Sequence, residues 1–461
     1  MTNEKPTLRQ LLEASKGKKL LFLGREGIFS PKEIARFLKP YGITMTSEYE
    51  SGVAGVVEHH TLNPVEEGIS CLAYDDGVPL FKLLEFEKLL SEGIDDDALL
   101  MALKLGNDQE HLFRLLGNAH IGDALFVKLL GMYAWHEEEE DNREDRDVIM
   151  YTLRRYISIK PNEEDLLYSP LTLKRLALEA TDPRLLEVLI RFPDITFLQK
   201  GKQKITLREA VATNPHIDEA AIARLMRLRS HGVDICLAAN TSTPLHLLQK
   251  YAQRDDEEIN RALASNPAID EALFTLLLTK SDEVVQLLLW YQPVTPQRYK
   301  ALAEAVEDDA LFASLGENRQ IAHEVLETLA ASSNIELLGH LAANESLEGT
   351  LLQRIYDKGV EETYPHLAMN PSTPPAVLEA LYRTYPDTTE ILKGLAYNTS
   401  TPVEILQALY ERDELEITRG IASNASMPLE ILNILKIDTR LRNELTSNSA
   451  FVASITQKLG L

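Results

Sequence analysis

The stretch that decides the fold is residues 368–383, AMNPSTPPAVLEALYR, which returns as AYNTSTPVEILQALYE at 396–411 and as ASNASMPLEILNI at 422–434. Each copy has a small residue two before an asparagine, then Ser, Thr or Pro, then a proline, then apolar residues at helical spacing. Proline is tolerated in a first helical turn, where its missing N–H would have no partner anyway. The pattern predicts that each copy turns at its asparagine and then begins a helix.

Asparagine recurs with a period of 26 residues through the second half of the chain. The register holds at Asn214, Asn240, Asn266, Asn318, Asn344 and Asn370, with Gln292 at the intermediate place, and then loosens to Asn398, Asn424 and Asn448. A fixed period of this length indicates a stack of near-identical supersecondary units. We expect each unit to be a helix of roughly ten residues, a turn and a second short helix that is 3₁₀ in places.

An asparagine at a strict structural period has two explanations. The side chains form either a buried ladder, which satisfies backbone groups where two helices turn, or a polar stripe for binding. We favour the ladder, because the turn itself explains a polar residue at the period of the fold. Thr373 and Thr401 directly precede prolines. We expect their hydroxyls to cap the free N–H groups of the following helix.

The repeat resembles the leucine-rich repeat variant family, whose units carry Asn-Pro-x-Thr-Pro followed by leucine pairs. The best match is residues 370–374, and the resemblance is clear over about 210–450 and extends over about 95–461. It implies a right-handed α-solenoid, although HEAT-type repeats share the proline and the leucine spacing. Some members carry an iron–sulfur cluster, which needs about four Cys ligands. This chain has only Cys71 and Cys236, so we expect no such cofactor.

The first 92 residues have a different pattern. KKLLFLG at 18–24 predicts a buried strand, and SPKE at 30–33 predicts a helix start with a capping box. Further strands are expected at 43–48 and 53–57, and a strand followed by an amphipathic helix at 77–90. Strands that alternate with helices indicate a small parallel sheet. The predicted fold class is therefore mainly α, a solenoid of helical repeats preceded by a small α/β domain.

This order resembles a BRCT domain over about 16–92. The resemblance lies in a first strand that ends at Gly24, a helix that ends at Gly42, the apolar strand at 54–57 and the closing helix with Phe86. It implies binding of phosphopeptides, DNA ends or other proteins. Phosphate-binding members have Ser or Thr where this chain has Leu23, and residues 51–80 contain no Lys or Arg. Both departures argue against a phosphate pocket of the known type.

Two basic features remain candidates for contact with an anion or a partner. Arg25 and Lys32 lie near the expected N-terminus of the first helix of the BRCT-like domain. Arg224 and Arg227 lie three residues apart in a basic stretch over 200–230, so they share a helix face. For both pairs the alternative is an ordinary solvated surface.

The chain is expected to comprise three parts: the BRCT-like domain at 1–92, irregular helical repeats or a cap at 93–205, and regular repeats at 206–461. The middle part holds the charged block 136–147, in which His136 beside four glutamates is either a metal ligand or, as we favour, part of an exposed loop or helix extension. His59 and His60 adjoin a predicted strand, where neighbouring side chains face opposite ways, so we do not expect a ligand pair.

Composition narrows the function classes. The net charge of −24 disfavours non-specific binding to DNA or anionic membranes over most of the surface, although residues 1–40 carry nine Lys/Arg against four Asp/Glu. No run of 18 apolar residues indicates a membrane span, and no leader is recognised. We therefore expect a cytoplasmic protein, and the absence of any catalytic motif favours one without enzymatic activity.

Three functional hypotheses follow. The leading one is a protein-interaction scaffold that binds a protein or peptide through the solenoid surface and the BRCT-like domain, with Trp290, Tyr291 or Tyr397 as anchors or as core residues. The alternative is a DNA-binding or DNA-repair-associated protein that uses the basic segments 1–40 and 200–230. A third is a structural scaffold that forms a homo-oligomer through a terminal repeat.

Overall fold

The computed structural model describes residues 7–133, 148–149, 151–156, 170–197 and 204–459. The charged block 136–147 with His136, and Lys200 and Lys202 of the basic stretch, lie outside these residues. The chain divides into two compact units, 1–229 and 230–461. The boundaries predicted near 92 and 205 therefore both fall inside the first unit. The described chain is mainly helical with one small parallel sheet near its N-terminus, which confirms the predicted fold class at this level.

The sheet of the first unit consists of β1 (Lys19–Leu23), β2 (Thr44–Thr46), β3 (Val53–Glu58) and β4 (Leu80–Lys82). All neighbours are parallel, in the order β2-β1-β3-β4. The predicted strands and the predicted parallel arrangement are confirmed. The central strands are apolar because both faces of the sheet are covered by helices.

The helices of this α/β part are Leu8–Ala14, Pro31–Leu38, Pro64–Asp75 and Leu83–Glu92. The second and fourth were predicted. The third, which connects β3 to β4, was not, although Asn63 and Glu66 form a capping box at its start. Its apolar residues are too few for a clear helical stripe, and Val65 and Leu72 are exposed, which is why periodicity gives no signal there.

Among its described residues, the remainder of the first unit is mainly helical, with a two-stranded antiparallel sheet that was not predicted. Its strands are Thr196–Phe197 and Ile205–Thr206. The helices are Asp96–Gly106, Gln109–Leu116, Asp123–Leu130, Pro170–Glu179, Pro183–Arg191, Leu207–Thr213 and Glu219–Arg227.

The second unit repeats two helices in turn. The first helices of the repeats are Leu245–Ala252, Glu271–Leu277, Pro296–Ala305, His323–Ala331, Gly349–Asp357, Pro375–Thr384, Val403–Tyr410, Leu429–Leu435 and Ser449–Leu459. The second helices are His231–Ala239, Glu257–Ala264, Asp282–Tyr291, Asp309–Ala313, Ile335–Ala343, Tyr364–Met369, Thr389–Tyr397, Leu415–Ser423 and Arg442–Ser447. Consecutive second helices pack side by side. The predicted 3₁₀ turns occur at Ser314–Glu317, Glu361–Thr363 and Thr439–Leu441.

The ladder asparagines are buried and connect each repeat to the one before it. Asn370 shows the pattern: its Nδ2 donates to the carbonyl oxygens of Ala342 at 2.8 Å and Asn344 at 3.0 Å, and its Oδ1 accepts the N–H of Ser372 at 2.9 Å. Helix ends leave carbonyl groups without partners inside the helix. The side chain of one repeat therefore completes the helix end of its predecessor while it closes its own turn.

The pattern recurs along the chain with small variations. The equivalent two carbonyl oxygens accept from Asn266, Asn344, Asn398, Asn424 and Asn448. Asn318 donates to the carbonyl oxygens of Leu289 and Gln292. In the first unit Nδ2 of Asn214 donates to the carbonyl oxygens of Ala177 and Ala180. Asn240 accepts the N–H of Ser242.

Gln292 keeps the ladder intact with a longer side chain. Its Nε2 donates to Ala264 at 2.8 Å and to Asn266 at 2.9 Å, as an asparagine would. Its Oε1 accepts from Nη1 of Arg298 at 3.1 Å, in place of a backbone N–H two residues on. Arg298 is itself buried and paired with Glu271 at 2.8 Å. The exception in the sequence register is therefore compensated by a charged side chain from the next helix.

The expected role of the threonines is wrong. Oγ1 of Thr373 donates to the carbonyl of Leu367, and Oγ1 of Thr401 to that of Leu395, both at 2.7 Å. The N-caps of the following helices are Pro374 and Pro402, which make no side-chain cap bond. The hydroxyls therefore close the preceding helix instead of capping the following one.

Close helix packing explains the small residues Ala368 and Ala396, which stand two before the ladder residues Asn370 and Asn398. A Cβ at Gly394 would lie 2.9 Å from Cβ of Ala368, and one at Gly420 would lie 2.8 Å from Cβ of Ala396. These distances are below ordinary van der Waals contact. Neighbouring second helices approach this closely because both sides of the contact are Ala or Gly.

We predict that Asn370→Ala lowers the free energy of unfolding by about 3 kcal/mol, because two buried carbonyls and one N–H lose their partner together. Urea unfolding of the full chain measures it. Asn443→Ala is the matched control, since Asn443 is an exposed helical asparagine, and its effect should stay within about 0.5 kcal/mol. Equal effects of the two substitutions would show that the ladder contributes little to stability.

Candidate functional site

A cleft of about 1000 Å³ opens in the first unit at the carboxyl ends of β1, β3 and β4. The chain leaves β1 toward β2 on one side and later returns to β3 on the other side of β1. The crevice beside such a switch in strand order is where open parallel sheets bind ligands. The cleft is therefore the strongest candidate site in the described part of the first unit.

The floor of the cleft is the loop that follows β1, and two glycines let it pass close to its neighbours. Gly24 has a φ of +97°, and a Cβ there would lie 2.5 Å from Cβ of His59. A Cβ at Gly27 would overlap Oε1 of Glu87. A side chain at Gly24 would therefore push the loop away from His59, and a side chain at Gly27 would push it away from the carboxyl group of Glu87.

Carboxylates of the chain itself occupy the N–H groups of this loop. Gly24 donates to Glu66 at 3.2 Å, Ile28 to Glu87 at 2.6 Å and Ser30 to Glu33 at 2.7 Å. Such N–H groups are those that would otherwise attract an external anion. Arg25 and Lys32 are both exposed in this region. Contact of these two residues with an anion or a partner stays a prediction.

Glu87 is an unusual group in this cleft. Only 7% of its surface is exposed, and it forms an ion pair with none of the described Lys and Arg side chains. Burial raises its pKa, against the opposing effects of the Ile28 N–H and of His59 and His120. A carboxyl group held in a cleft with a perturbed pKa is typical of functional sites.

The expectation that His59 and His60 face opposite ways is wrong. Both follow the last residue of β3, so strand alternation no longer applies, and their ring centroids lie 4.0 Å apart. Both rings line the cleft. Nδ1 of His59 lies 3.2 Å from the N–H of Thr61, which donates to it. The neutral ring therefore carries its proton on Nε2.

The walls of the cleft are apolar and aromatic. Leu62, Leu83 and Leu84 come from the α/β part, and Phe113 and Tyr151 come from the helices that follow it. Leu84 is 61% exposed, an unusual state for a large apolar side chain beside a cleft. The remaining charged lining residues are Glu26, Glu58, Glu67, Lys82 and Arg114.

Two buried contacts fix the α/β part to these helices. Oε1 of Glu33 lies 3.1 Å from Nε2 of His111, which is almost fully buried. Nδ2 of Asn118 donates to Oγ of Ser91 at 3.0 Å, and Ser91 donates to the carbonyl of Glu87 at 2.6 Å. These contacts hold the helix that carries Glu87 against the helices that follow the α/β part. The position of the carboxyl group therefore depends on the packing between the α/β part and those helices.

The basic segments are partly neutralised by ion pairs. Arg224 and Arg227 share the helix Glu219–Arg227, and Arg224 pairs with Glu187 at 3.1 Å, while Arg227 is exposed. Within residues 1–40, Arg9 pairs with Glu92 and Lys19 with Glu50. These pairs reduce the positive charge that either segment can offer to a nucleic acid.

The suggested aromatic anchors lie in the second unit. Tyr291 is 52% exposed, whereas Trp290 and Tyr397 are half-buried. The indole Nε1 of Trp290 is buried without a described hydrogen-bond partner, so this residue belongs with the core. Tyr291 is the one of the three with most of its surface free for contact.

Comparison of the chain with family models, curated proteins and solved structures finds no match. Among the described residues no helix is both long and apolar enough to cross a membrane. In the same residues no three His, Cys, Asp or Glu side chains come together as a metal site would require.

We predict that Glu87→Gln raises the melting temperature of the protein at neutral pH. A carboxyl group whose folded pKa is raised favours the folded state below its unfolded pKa and loses that contribution as the pH rises. Glutamine keeps the oxygen that accepts from Ile28 and removes the buried charge. The gain should therefore shrink in acid. Glu67→Gln, an exposed lining residue, should change the melting temperature little at any pH, and a loss of stability in Glu87→Gln would contradict the prediction.

The opposite pH dependence is expected for Glu33. Burial alone would raise its pKa, but hydrogen bonds from His111 and from the backbone and hydroxyl of Ser30 outweigh burial and lower it. A lowered folded pKa gives stability above the unfolded pKa that is lost as the pH falls through the folded value. Urea unfolding across acidic pH should show a flatter dependence for Glu33→Gln than for the wild type. Exposed Glu13→Gln should keep the wild-type dependence.

Proposed function

We propose that this protein is a non-enzymatic scaffold that binds a protein or peptide partner, with the helical repeats as the main binding surface. We further propose that the repeats form a solenoid of the leucine-rich repeat variant type, that the N-terminal part is a BRCT-like domain, and that the protein acts in the cytoplasm. The observation that carries the proposal is a row of equivalent positions along the second helices, two of which hold exposed large apolar side chains, Tyr291 and Met369.

This row, called here the anchor row, consists of the residues directly before the ladder positions. Its members include Tyr291, Glu317, Ala343, Met369 and Tyr397. The ladder register and the side-by-side packing of consecutive second helices bring these positions next to one another. Tyr291 and Met369 are each 52% exposed. Large apolar side chains in this state are typical of contact surfaces when they recur at one structural position.

The charge of the second unit indicates which partner fits. Residues 230–461 contain 33 Asp and Glu against 17 Lys and Arg, a net charge of −16. Several of the basic residues are bound in ion pairs between repeats, such as Arg261 with Glu283 and Lys393 with Glu416. The surface that remains is acidic with apolar anchors. It suits a peptide that combines Lys or Arg with apolar residues.

The DNA-binding alternative has less support. Its two basic segments carry the ion pairs described above, and the loop N–H groups of the BRCT-like domain are taken by Glu66, Glu87 and Glu33. Strong DNA binding would need several free cations on one surface. We therefore place a protein partner first and keep nucleic acid as an outcome of the test.

A random peptide library displayed on phage and selected on the full chain tests the proposal. We expect the selected peptides to be rich in Lys, Arg and apolar residues. The double variant Tyr291→Ala, Met369→Ala should weaken their binding at least about tenfold, because anchor residues carry most of the energy of an interface. Ile437→Ala is the matched control, because this residue is 84% exposed but lies outside the anchor row.

Peptides that bind the double variant as tightly as the wild type would place the contact elsewhere. Titration with single- and double-stranded DNA at low and moderate salt tests the alternative. Binding that weakens steeply with salt, and is lost when Arg224 and Arg227 are changed to Glu, would replace the scaffold proposal with a nucleic-acid function.

A further inference from the structure

The cleft of the first unit holds a carboxyl group, that of Glu87, with which no described Lys or Arg side chain forms an ion pair. Oε1 of Glu87 accepts the N–H of Ile28, and among the described residues Oε2 accepts no hydrogen bond. An ionised carboxylate is costly to bury unless a cation or several hydrogen bonds compensate it. The packing of Gly27 and the Asn118–Ser91 contact hold Glu87 in this position. The molecule thus maintains a destabilising group at a fixed place in a cleft.

The two cationic side chains of the lining, Arg114 and Lys82, do not neutralise Glu87. Arg114 pairs with Glu110 at 3.1 Å and its Nη2 lies 3.5 Å from Nδ1 of His111. Lys82 is exposed and forms no described ion pair with Glu87. Against these two stand Glu26, Glu58, Glu67 and Glu87, so the carboxyl groups of the lining outnumber its Lys and Arg side chains.

The remaining lining is suited to an apolar body rather than to water. The lining includes Leu62, Leu83 and Leu84, the aromatic rings of Phe113 and Tyr151, and the neighbouring, mutually tilted rings of His59 and His60. Aromatic faces attract cations as well as apolar groups. In a pocket of this kind the apolar walls hold the body of a ligand, and the polar groups fix its orientation and the charge that is accepted.

We propose that this cleft binds a ligand in which a guanidinium, amidinium or primary ammonium group is attached to an apolar or aromatic body, with Glu87 as the counter-ion. The cationic nitrogen donates to the free oxygen of Glu87, and the body lies among the leucine and aromatic side chains. Both the arginine side chain of a peptide and a free small molecule have this chemistry. The site lies in the first unit, so it does not depend on the anchor row of the second unit.

The test uses the full chain and two pairs of probes in calorimetric titrations. Benzamidine carries the cation on an aromatic ring, and benzamide is its neutral isostere. N-acetyl-Phe-Arg-amide carries the cation on a peptide, and the same peptide with citrulline in place of arginine is its neutral partner. We expect binding of both cationic probes and at least about tenfold weaker binding of the neutral ones.

Two variants test whether Glu87 is the residue that binds the cationic probes. Glu87→Gln should weaken the cationic probes at least about tenfold, since it removes the charge and keeps the shape. Glu85→Gln, on the same helix but exposed and outside the cleft lining, should change binding by no more than about twofold, because an exposed charge contributes little. Glu87→Gln is expected to be the more stable protein, so a loss of binding in it would not reflect unfolding. Melting curves of each variant check this directly.

Equal binding of benzamidine and benzamide would overturn the proposal, as would unchanged affinity in Glu87→Gln. Absence of binding for both cationic probes at the highest soluble concentration would overturn it as well. If the proposal holds, the arginine peptide and benzamidine distinguish the source of the ligand. A peptide that binds more tightly than benzamidine indicates a segment of a protein, and the reverse order indicates a free small molecule.

Discussion

The structure depends on how each repeat satisfies the backbone groups at the end of the preceding helix. A two-helix unit turns abruptly, and its last carbonyls have no partner within the helix. The side-chain amide of the following ladder residue reaches back to two of them, as Asn370 does to Ala342 and Asn344. Because this requires a fixed distance between neighbours, it also sets how closely the second helices pack. Small residues at the contact, such as Ala368 and Gly394, then follow from the geometry.

A ladder-type asparagine also occurs in the first unit, where it contacts the α/β part. Asn118 accepts the N–H of His120 through its Oδ1, as the ladder asparagines do two residues on. Its Nδ2, however, donates to Ser91 on the helix that carries Glu87. A ladder-type residue is therefore used to attach a sheet-containing part to helices. The cleft at the strand ends is bounded by both, so its shape depends on this attachment and on the pair between Glu33 and His111.

Periodicity and turn chemistry made most of the repeat predictable. The 26-residue register and the glutamine substitution could be read directly, because a buried amide is required at each turn. What could not be read was the direction of the hydrogen bonds. The threonine hydroxyls close the preceding helix, and no sequence pattern distinguishes that from capping the next one. The strands were predictable because they are short apolar runs, whereas the helix Pro64–Asp75 has too weak a stripe.

The candidate site was largely invisible in the sequence. Glu87 lies on a helix whose periodicity only assigns it to an amphipathic segment, and its burial follows from a loop more than fifty residues earlier in the chain. The nearest available signal was Gly24 with Gly27, a glycine pair directly after a buried strand. His59 and His60 were judged by strand alternation, which fails one residue beyond the strand. A site that is built by packing between distant segments leaves no local pattern in the sequence.

Gln292 gives the repeat array an internal heterogeneity. Here Arg298 donates to the ladder side chain, and its guanidinium also donates to the carbonyl oxygens of Ile269 and Pro293. The coupling between the repeats at this junction therefore has an electrostatic component, from Arg298 and Glu271, in addition to the hydrogen bonds of the amide.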